Sequence, residues 1–120
     1  MWILDKNKPI CPQIYSIICI KIANGELKPN EKLLSVREVS VSAGVNPNTV
    51  QKAFENLQRD KIIYSVRSLG WFVSEDVSFA KDTVVRLVNE RTKQYLFELK
   101  LFGLTPKDVQ KLIQEAQQDE

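Results

Sequence analysis

Residues 33–54 read LLSVREVSVSAGVNPNTVQKAF, and this stretch predicts two short helices joined by a tight turn. Ser35 stands three residues before Glu38, which is the spacing of a reciprocal capping box at a helix N-terminus. Gly44 ends the first helix, because glycine adopts the left-handed backbone of a helix C-terminus at little cost. The stretch therefore contains its own helix start and stop signals.

The second helix of this stretch is expected to have one apolar and one polar face. Asn46 is a candidate N-cap, and Pro47 follows at the first helical position, where a missing N–H breaks no hydrogen bond. Apolar residues at helical spacing form the buried face: Val50, Ala53, Phe54 and Leu57. Hydrogen-bonding side chains form the opposite face: Asn48, Thr49, Gln51 and Lys52. This pattern is typical of a helix-turn-helix, so we expect the stretch to read DNA.

The chain has 120 residues and a net charge of +2, which is too small to indicate nucleic-acid binding by itself. Residues 1–75 hold ten Lys and Arg against seven Asp and Glu, a net charge of +3. Residues 76–120 hold seven against eight, a net charge of −1. The basic excess therefore lies in the half that contains the helix-turn-helix.

The residue inventory argues against an enzyme. The chain has no histidine, no glycine-rich phosphate loop and no metal-ligand spacing, so we expect no catalytic residues, no metal and no cofactor. Cys11 and Cys19 would lie about 12 Å apart along one helix, beyond the roughly 7 Å limit for a disulfide, and are interpreted as small hydrophobic residues. We expect a cytoplasmic protein, since no signal peptide or membrane span is evident.

Residues 1–75 are expected to form a winged helix-turn-helix domain, mainly α-helical with a small β-hairpin. A helix from Cys11 to Asn24 precedes the reading helices, and Leu33–Leu34 is a candidate sheet edge. Two β-rich runs, Ile62–Val66 and Trp71–Val73, follow the second reading helix. The short loop between them contains Arg67 and Gly70, and such a hairpin is the wing that approaches the minor groove or the phosphates.

Residues 76–120 are expected to form a two-helix C-terminal dimerisation arm. One helix runs from Ser78 to about Leu101, and a second begins with Thr105 as its cap and Pro106 at its first position. The apolar stripe of these helices forms either a core or a dimer seam, and we favour the seam. The residues assigned to it are Val84, Leu87, Val88, Tyr95, Leu99, Phe102, Val109, Leu112 and Ile113.

The sequence resembles the DNA-binding domain of the GntR family of bacterial transcription regulators. The matching positions are Gly25, Glu26, Leu27, Pro29, Leu33, Ser35, Arg37, Glu38, Gly44, Val45, Asn46, Pro47, Asn48, Thr49, Val50, Gly70, Phe72 and Val73. The run around Asn48 and the short two-helix tail look most like the YtrA subfamily. Asn30 and Lys61 stand where the family pattern has glycine, and Leu34 stands where it has proline.

The resemblance implies a homodimeric repressor that binds double-stranded DNA at an inverted-repeat operator, often of a membrane-transporter operon. It places Arg37 at a base edge or phosphate, which suits the bidentate fork of arginine. It places Asn46, Asn48, Thr49 and Gln51 in the major groove, Ser35 and Lys52 at the DNA backbone, and Arg67 and Gly70 in the wing. It does not specify a small-molecule effector.

Structural roles compete with several of these assignments. Asn46 and Thr49 are explained equally well by capping and first-turn hydrogen bonds, while Lys28 and Lys32 are interpreted as surface charges. At the level of the whole chain, the alternative is a winged-helix module for protein–protein contact that does not bind DNA.

Overall fold

The computed structural model describes residues 2–119. It contains five helices and a two-stranded antiparallel sheet, so the expected fold class is observed. The elements are α1 (Ile10–Ala23), α2 (Val36–Ala43), α3 (Pro47–Arg59), β1 (Ile63–Val66), β2 (Gly70–Val73), α4 (Ser78–Leu101) and α5 (Pro106–Gln118).

The helix signals of the opening stretch act as the sequence predicts. Ser35 Oγ accepts a hydrogen bond from the Glu38 backbone N–H at 3.0 Å, and Glu38 Oε1 accepts one from the Ser35 N–H at 3.0 Å. Gly44 adopts a left-handed conformation with φ 68° and ends α2. Asn46 Oδ1 accepts from the backbone N–H of Asn48 at 2.8 Å and begins α3. These local hydrogen bonds define the turn between the two reading helices.

The core lies around α3, which packs against α1, α2 and β1. Phe54 is fully buried in this core, and its ring meets Trp71 of β2 edge to face with centroids 5.5 Å apart. Trp71 therefore packs against the core from the sheet. The other side chains with under 2% exposure include Ile14, Leu57, Ile62, Ile63, Val39, Val50 and Val73.

A third backbone segment, at Lys32, borders the hairpin of the wing. β1 pairs with β2 from Ile63↔Val73 to Val66↔Gly70, and an isolated antiparallel bridge joins Lys32 to Phe72 on the other side of β2. The sequence placed this edge at Leu33–Leu34, one residue later. Leu33 still borders the sheet, because its N–H donates to the Trp71 carbonyl at 2.8 Å, while its side chain is buried and that of Lys32 is exposed.

The two residues that stand where the family pattern has glycine both adopt a left-handed backbone conformation. Asn30 and Lys61 both have φ 63°. Lys61 follows α3 in a Schellman arrangement, in which its N–H bonds to the Gln58 carbonyl at 3.0 Å and the next N–H bonds to Leu57 at 2.9 Å. Asparagine tolerates this conformation better than lysine, so the strain is concentrated at Lys61.

The chain divides into two compact units, Met1–Val84 and Val85–Glu120, with the boundary inside α4. The sequence placed the boundary at 75/76. The first unit extends further because Ala80 and Thr83 are buried in it and Val84 packs against its core. Its own chain therefore already covers part of the Val84 side chain, and the assignment of Val84 to the dimer seam stays a prediction.

The second unit contains the remainder of α4 and α5. Thr105 and Asp108 form a reciprocal capping box at the start of α5, in which Asp108 Oδ2 accepts from the Thr105 N–H at 2.8 Å. Val109 is only 5% exposed, so its own chain already buries it, and its assignment to the seam stays a prediction. Leu87 and Leu99 are half-buried. Eight large apolar side chains remain exposed, namely Val85, Val88, Tyr95, Phe97, Leu101, Phe102, Leu112 and Ile113.

Candidate nucleic-acid interface

Arg37 is the second residue of α2 and is exposed. Within residues 2–119 its guanidinium has neither a hydrogen bond nor an ion pair. The neighbouring Glu38 carboxylate is instead held by Ser35, and these hydrogen bonds lower the pKa of Glu38 below its usual range. Arg37 therefore presents five unused N–H donors at the first turn of the helix-turn-helix.

Some polar side chains at the start of α3 form a hydrogen bond or are half-buried, whereas others are exposed and, within residues 2–119, unpaired. Asn46 Oδ1 is occupied by its capping bond to the Asn48 N–H, and Thr49 is half-buried. The capping interpretation of Asn46 is thus observed directly. Asn48 and Lys52 are exposed, and among the described residues neither side chain has a hydrogen-bond partner. These two are the more available of the residues assigned to the major groove or the DNA backbone.

Two assigned contact residues already have partners on their own helices. Gln51 Nε2 donates to Glu55 Oε1 at 3.2 Å, one turn further along α3, which leaves the Gln51 carbonyl oxygen available. Ser35 Oγ accepts the capping bond of α2, and its hydroxyl hydrogen remains able to donate. Both side chains are exposed.

The wing tip is formed by residues 67–69 between the two strands. Arg67 is exposed, and it has no hydrogen bond or ion pair in the part of the chain that the structure describes. Gly70 has φ 121°, which glycine adopts readily, and Ser68 has φ 68°. Leu69 is 60% exposed beside them. The tip thus presents one unpaired cation next to an apolar side chain.

Lys6 contributes to this region although its position in the sequence does not indicate it. Lys6 Nζ donates to the carbonyls of Gly44 at 3.1 Å and Ala43 at 3.3 Å, so its charge lies against the C-terminus of α2. A cation at this end of a helix interacts favourably with the helix dipole. The sequence signals this contact only by a lysine in the segment before α1. Because 37 and 38 residues separate Lys6 from Ala43 and Gly44, no local pattern predicts it.

Gln13 holds the segment that carries Lys6. Its Oε1 accepts from the Asp5 N–H at 2.7 Å, and its Nε2 donates to the carbonyls of Asp5 and Pro9, both at 2.9 Å. Residues 5–9 are therefore fastened to the first turns of α1. The backbone from which the Lys6 side chain extends is therefore held in place.

The first unit contains a small apolar cavity of about 70 Å³. Small-molecule sites measure roughly 300–1,000 Å³, so this cavity is a packing gap between the helices. It is lined by Trp2, Ile18, Lys21, Leu27, Leu33, Leu34, Val39 and Phe54.

Residues 2–119 show no metal-binding cluster, no disulfide and no membrane-spanning helix. No group of three or more His, Cys, Asp and Glu side chains is placed to hold a metal ion. Cys11 and Cys19 form no disulfide, with Cys11 half-buried and Cys19 buried. No described helix has the length and apolar character needed to cross a membrane.

Comparison with known proteins places this architecture in a family. Residues 12–73 match the family described as "Bacterial regulatory proteins, gntR family". The HTH-type transcriptional repressor YtrA of Bacillus subtilis (strain 168) is 35% identical over 117 residues, covering 94% of this chain and 88% of that protein.

Solved structures show the same relationship. A GntR family transcriptional regulator from Listeria monocytogenes aligns with a TM-score of 0.83 and 30% identity, covering 93% of this chain and 98% of that one. AraR(DBD) in complex with operator ORE1 aligns with a TM-score of 0.54 and 28% identity, covering 62% of this chain and 93% of that one.

These matches confirm the resemblance on which the sequence prediction rests, including the likeness to YtrA. The relatives are transcriptional regulators and not enzymes, as the residue inventory predicted. The chain belongs to the GntR family of bacterial transcription regulators.

Proposed function

We propose that this chain is a homodimeric repressor that binds an inverted-repeat operator, with a membrane-transporter operon as the class of target. The observation that carries the DNA contact is the set of unpaired, exposed cations on the winged helix-turn-helix. Arg37 on α2, Lys52 on α3 and Arg67 at the wing tip each lack a hydrogen-bond or ion-pair partner within residues 2–119. Phosphate and base-edge contacts require such free donors.

The roles proposed for individual residues follow from their availability. Arg37 and Asn48 are proposed to reach base edges, while Lys52, Ser35 and Arg67 are proposed to contact the DNA backbone. The remaining assigned residues support these contacts. Asn46 and Thr49 set the start of α3, Gln51 offers its carbonyl oxygen, and Gly70 shapes the wing.

The dimer is proposed to form through the second unit. Phe102 is 81% exposed and Phe97 is 64% exposed, and six more apolar side chains of this unit are also exposed. So much apolar surface on a unit of this size favours a partner, and a second copy is the occupant that an inverted repeat requires. The assigned seam residues that remain available are Val88, Tyr95, Phe102, Leu112 and Ile113, with Leu87 and Leu99 partly so.

Fluorescence anisotropy with DNA from the protein's own promoter region tests the proposal. We expect binding that is tighter for promoter DNA than for a scrambled duplex and that weakens steeply between about 50 and 200 mM salt. In a homodimer the two reading helices would address half-sites with centres about 34 Å apart, so a change of half-site spacing would weaken binding. Folded protein that binds no DNA at 50 mM salt would contradict the proposal and favour a protein-contact module.

Operator binding by a similar protein also supports the proposal. AraR(DBD), whose structure in complex with operator ORE1 aligns with this chain, is a DNA-binding protein of similar fold. That likeness supports DNA as the ligand class here, while the operator sequence has to come from the binding experiment.

A further inference from the structure

We propose that Lys32 is a DNA phosphate contact that lies between the first turn of α2 and the wing. The inference rests on the DNA binding proposed above and assigns a role to a residue that its sequence context marks only as a surface charge.

The backbone of Lys32 is fixed by the sheet. Lys32 forms the antiparallel bridge to Phe72. The hydrogen bonds on either side of it run from the Leu33 N–H to the Trp71 carbonyl at 2.8 Å and from the Val73 N–H to the Glu31 carbonyl at 2.9 Å. The backbone of Lys32 is therefore held against β2 by the hydrogen bonds on either side of it.

The pleat of this strand directs Lys32 to the outer face of the wing. Residues directly opposite each other in an antiparallel pair project from the same face, so Lys32 and Phe72 share a face. Phe72 stacks on Tyr64 there, with ring centroids 5.6 Å apart and an interplanar angle of 20°. Leu33 is buried on the opposite face.

The stem of Lys32 runs along β2 toward the wing tip. A Cβ atom added to Gly70 would lie 3.3 Å from Lys32 Cε, so the lysine stem passes directly over Gly70. Gly70 is the first residue after the wing tip. The lysine side chain thus crosses the base of the wing.

The charge of Lys32 is also felt at α2. Lys32 contributes, after the hydrogen bonds from Ser35, to lowering the pKa of Glu38 in the first turn of that helix. The ammonium nevertheless has no hydrogen bond or ion pair of its own among the described residues, and the side chain is exposed. A cation that reaches both the turn carrying Arg37 and the base of the wing is placed to bind the phosphate that runs between them.

The salt dependence of DNA affinity tests this contact, because each neutralised phosphate adds about 0.9 to the slope of log affinity against log salt. We expect Lys32→Gln to lower that slope by about 1 for each protomer bound, with a similar loss on promoter and scrambled DNA. Lys32→Arg should keep the wild-type slope. A role limited to the sheet would change neither slope, because the backbone bridge is retained in both variants.

Lys28→Gln is the matched control, since Lys28 lies in the same loop and its Nζ bonds to the Gly25 carbonyl at 3.5 Å. It should leave the slope unchanged, and thermal melts should show all three variants folded. Wild-type protein that binds DNA while Lys32→Gln retains the full slope would overturn the Lys32 assignment alone. Wild-type protein that binds no DNA would instead overturn the proposed function.

Discussion

The phenolic hydroxyl of Tyr15 donates a 2.6 Å hydrogen bond to Oδ2 of Asp60. Tyr15 lies in α1, and Asp60 is the C-cap of α3. Asp60 also receives Arg59 Nε at 3.1 Å, so its carboxylate is shared between the core helix and the last turn of the reading helix. This bond fastens the end of α3 that lies away from the proposed DNA contacts.

Replacement of Tyr15 by Phe should lower the free energy of unfolding by about 1–2 kcal/mol, because it removes a partly buried hydrogen bond to a charged group. Urea denaturation measures the change. Tyr95→Phe is the control, because it removes a hydroxyl that has no hydrogen bond within residues 2–119 and keeps the ring that the proposed seam would bury. Equal stability of the two variants would mean that the Tyr15 hydroxyl contributes nothing measurable.

The same bond should make stability depend on pH in the alkaline range. Burial, followed by the hydrogen bond to Asp60, raises the pKa of Tyr15 above its usual value. The unfolded chain therefore releases this proton at a lower pH than the folded chain, so the contribution of Tyr15 is complete below about pH 10 and is lost as the pH rises further. Urea midpoints measured between pH 8 and 11 should fall more steeply for wild type than for Tyr15→Phe. Parallel curves would contradict this assignment.

Replacement of Lys61 by Gly should stabilise the first unit by about 0.5–1 kcal/mol. A left-handed residue other than glycine costs about 1–2 kcal/mol, and the extra entropy of glycine in the unfolded chain offsets part of the gain. The matched control is Lys81→Gly in α4, which should instead cost about 1 kcal/mol because the glycine stands inside a helix. Destabilisation by Lys61→Gly would show that the Lys61 side chain outweighs the backbone strain. Its ammonium lies 5.8 Å from the centre of the Phe79 ring.

Replacement of Arg37 by Ala should weaken operator binding by about 1–3 kcal/mol if the guanidinium reads a base, and the loss should be larger on promoter DNA than on scrambled DNA. Arg86→Ala, which removes an exposed arginine of α4 paired with Glu90 at 3.7 Å, should bind as wild type does. Anisotropy titrations at one salt concentration compare the two variants. An equal loss on both DNAs would assign Arg37 to a phosphate, and no loss would remove it from the interface.

Replacement of Ile113 by Glu should convert the proposed dimer to a monomer at micromolar concentration, because a buried unpaired carboxylate is strongly unfavourable in an apolar seam. Ile113 is 49% exposed in one chain, so the fold should survive the change. Gln110→Glu adds the same charge at an exposed polar position of α5 and should leave the dimer intact. Light scattering after size exclusion gives the masses. A wild-type monomer, or a dimer that survives Ile113→Glu, would contradict the seam.

Part of the candidate site was predictable because its signals are local. The capping pairs, the left-handed turn at Gly44 and the start of α3 depend on hydrogen bonds between residues only a few positions apart. The apolar stripe of the last two helices was also predictable as a pattern. Which residues of the stripe are buried and which are exposed was not predictable. Helical spacing is the same whether a side chain faces its own core, as Val84 does, or remains exposed, as Ile113 does.

By itself, the sequence determined the helix boundaries, the wing and the family, since these follow from short-range rules and from motifs in order along the chain. Only the tertiary structure decided that Lys6 meets Gly44, that Tyr15 meets Asp60 and that Lys32 crosses Gly70. In the order given, the two residues of each contact are 38, 45 and 38 positions apart in the sequence. Contacts at such separations form only after α1, the reading helices and the sheet have packed, because packing fixes the direction and reach of each side chain.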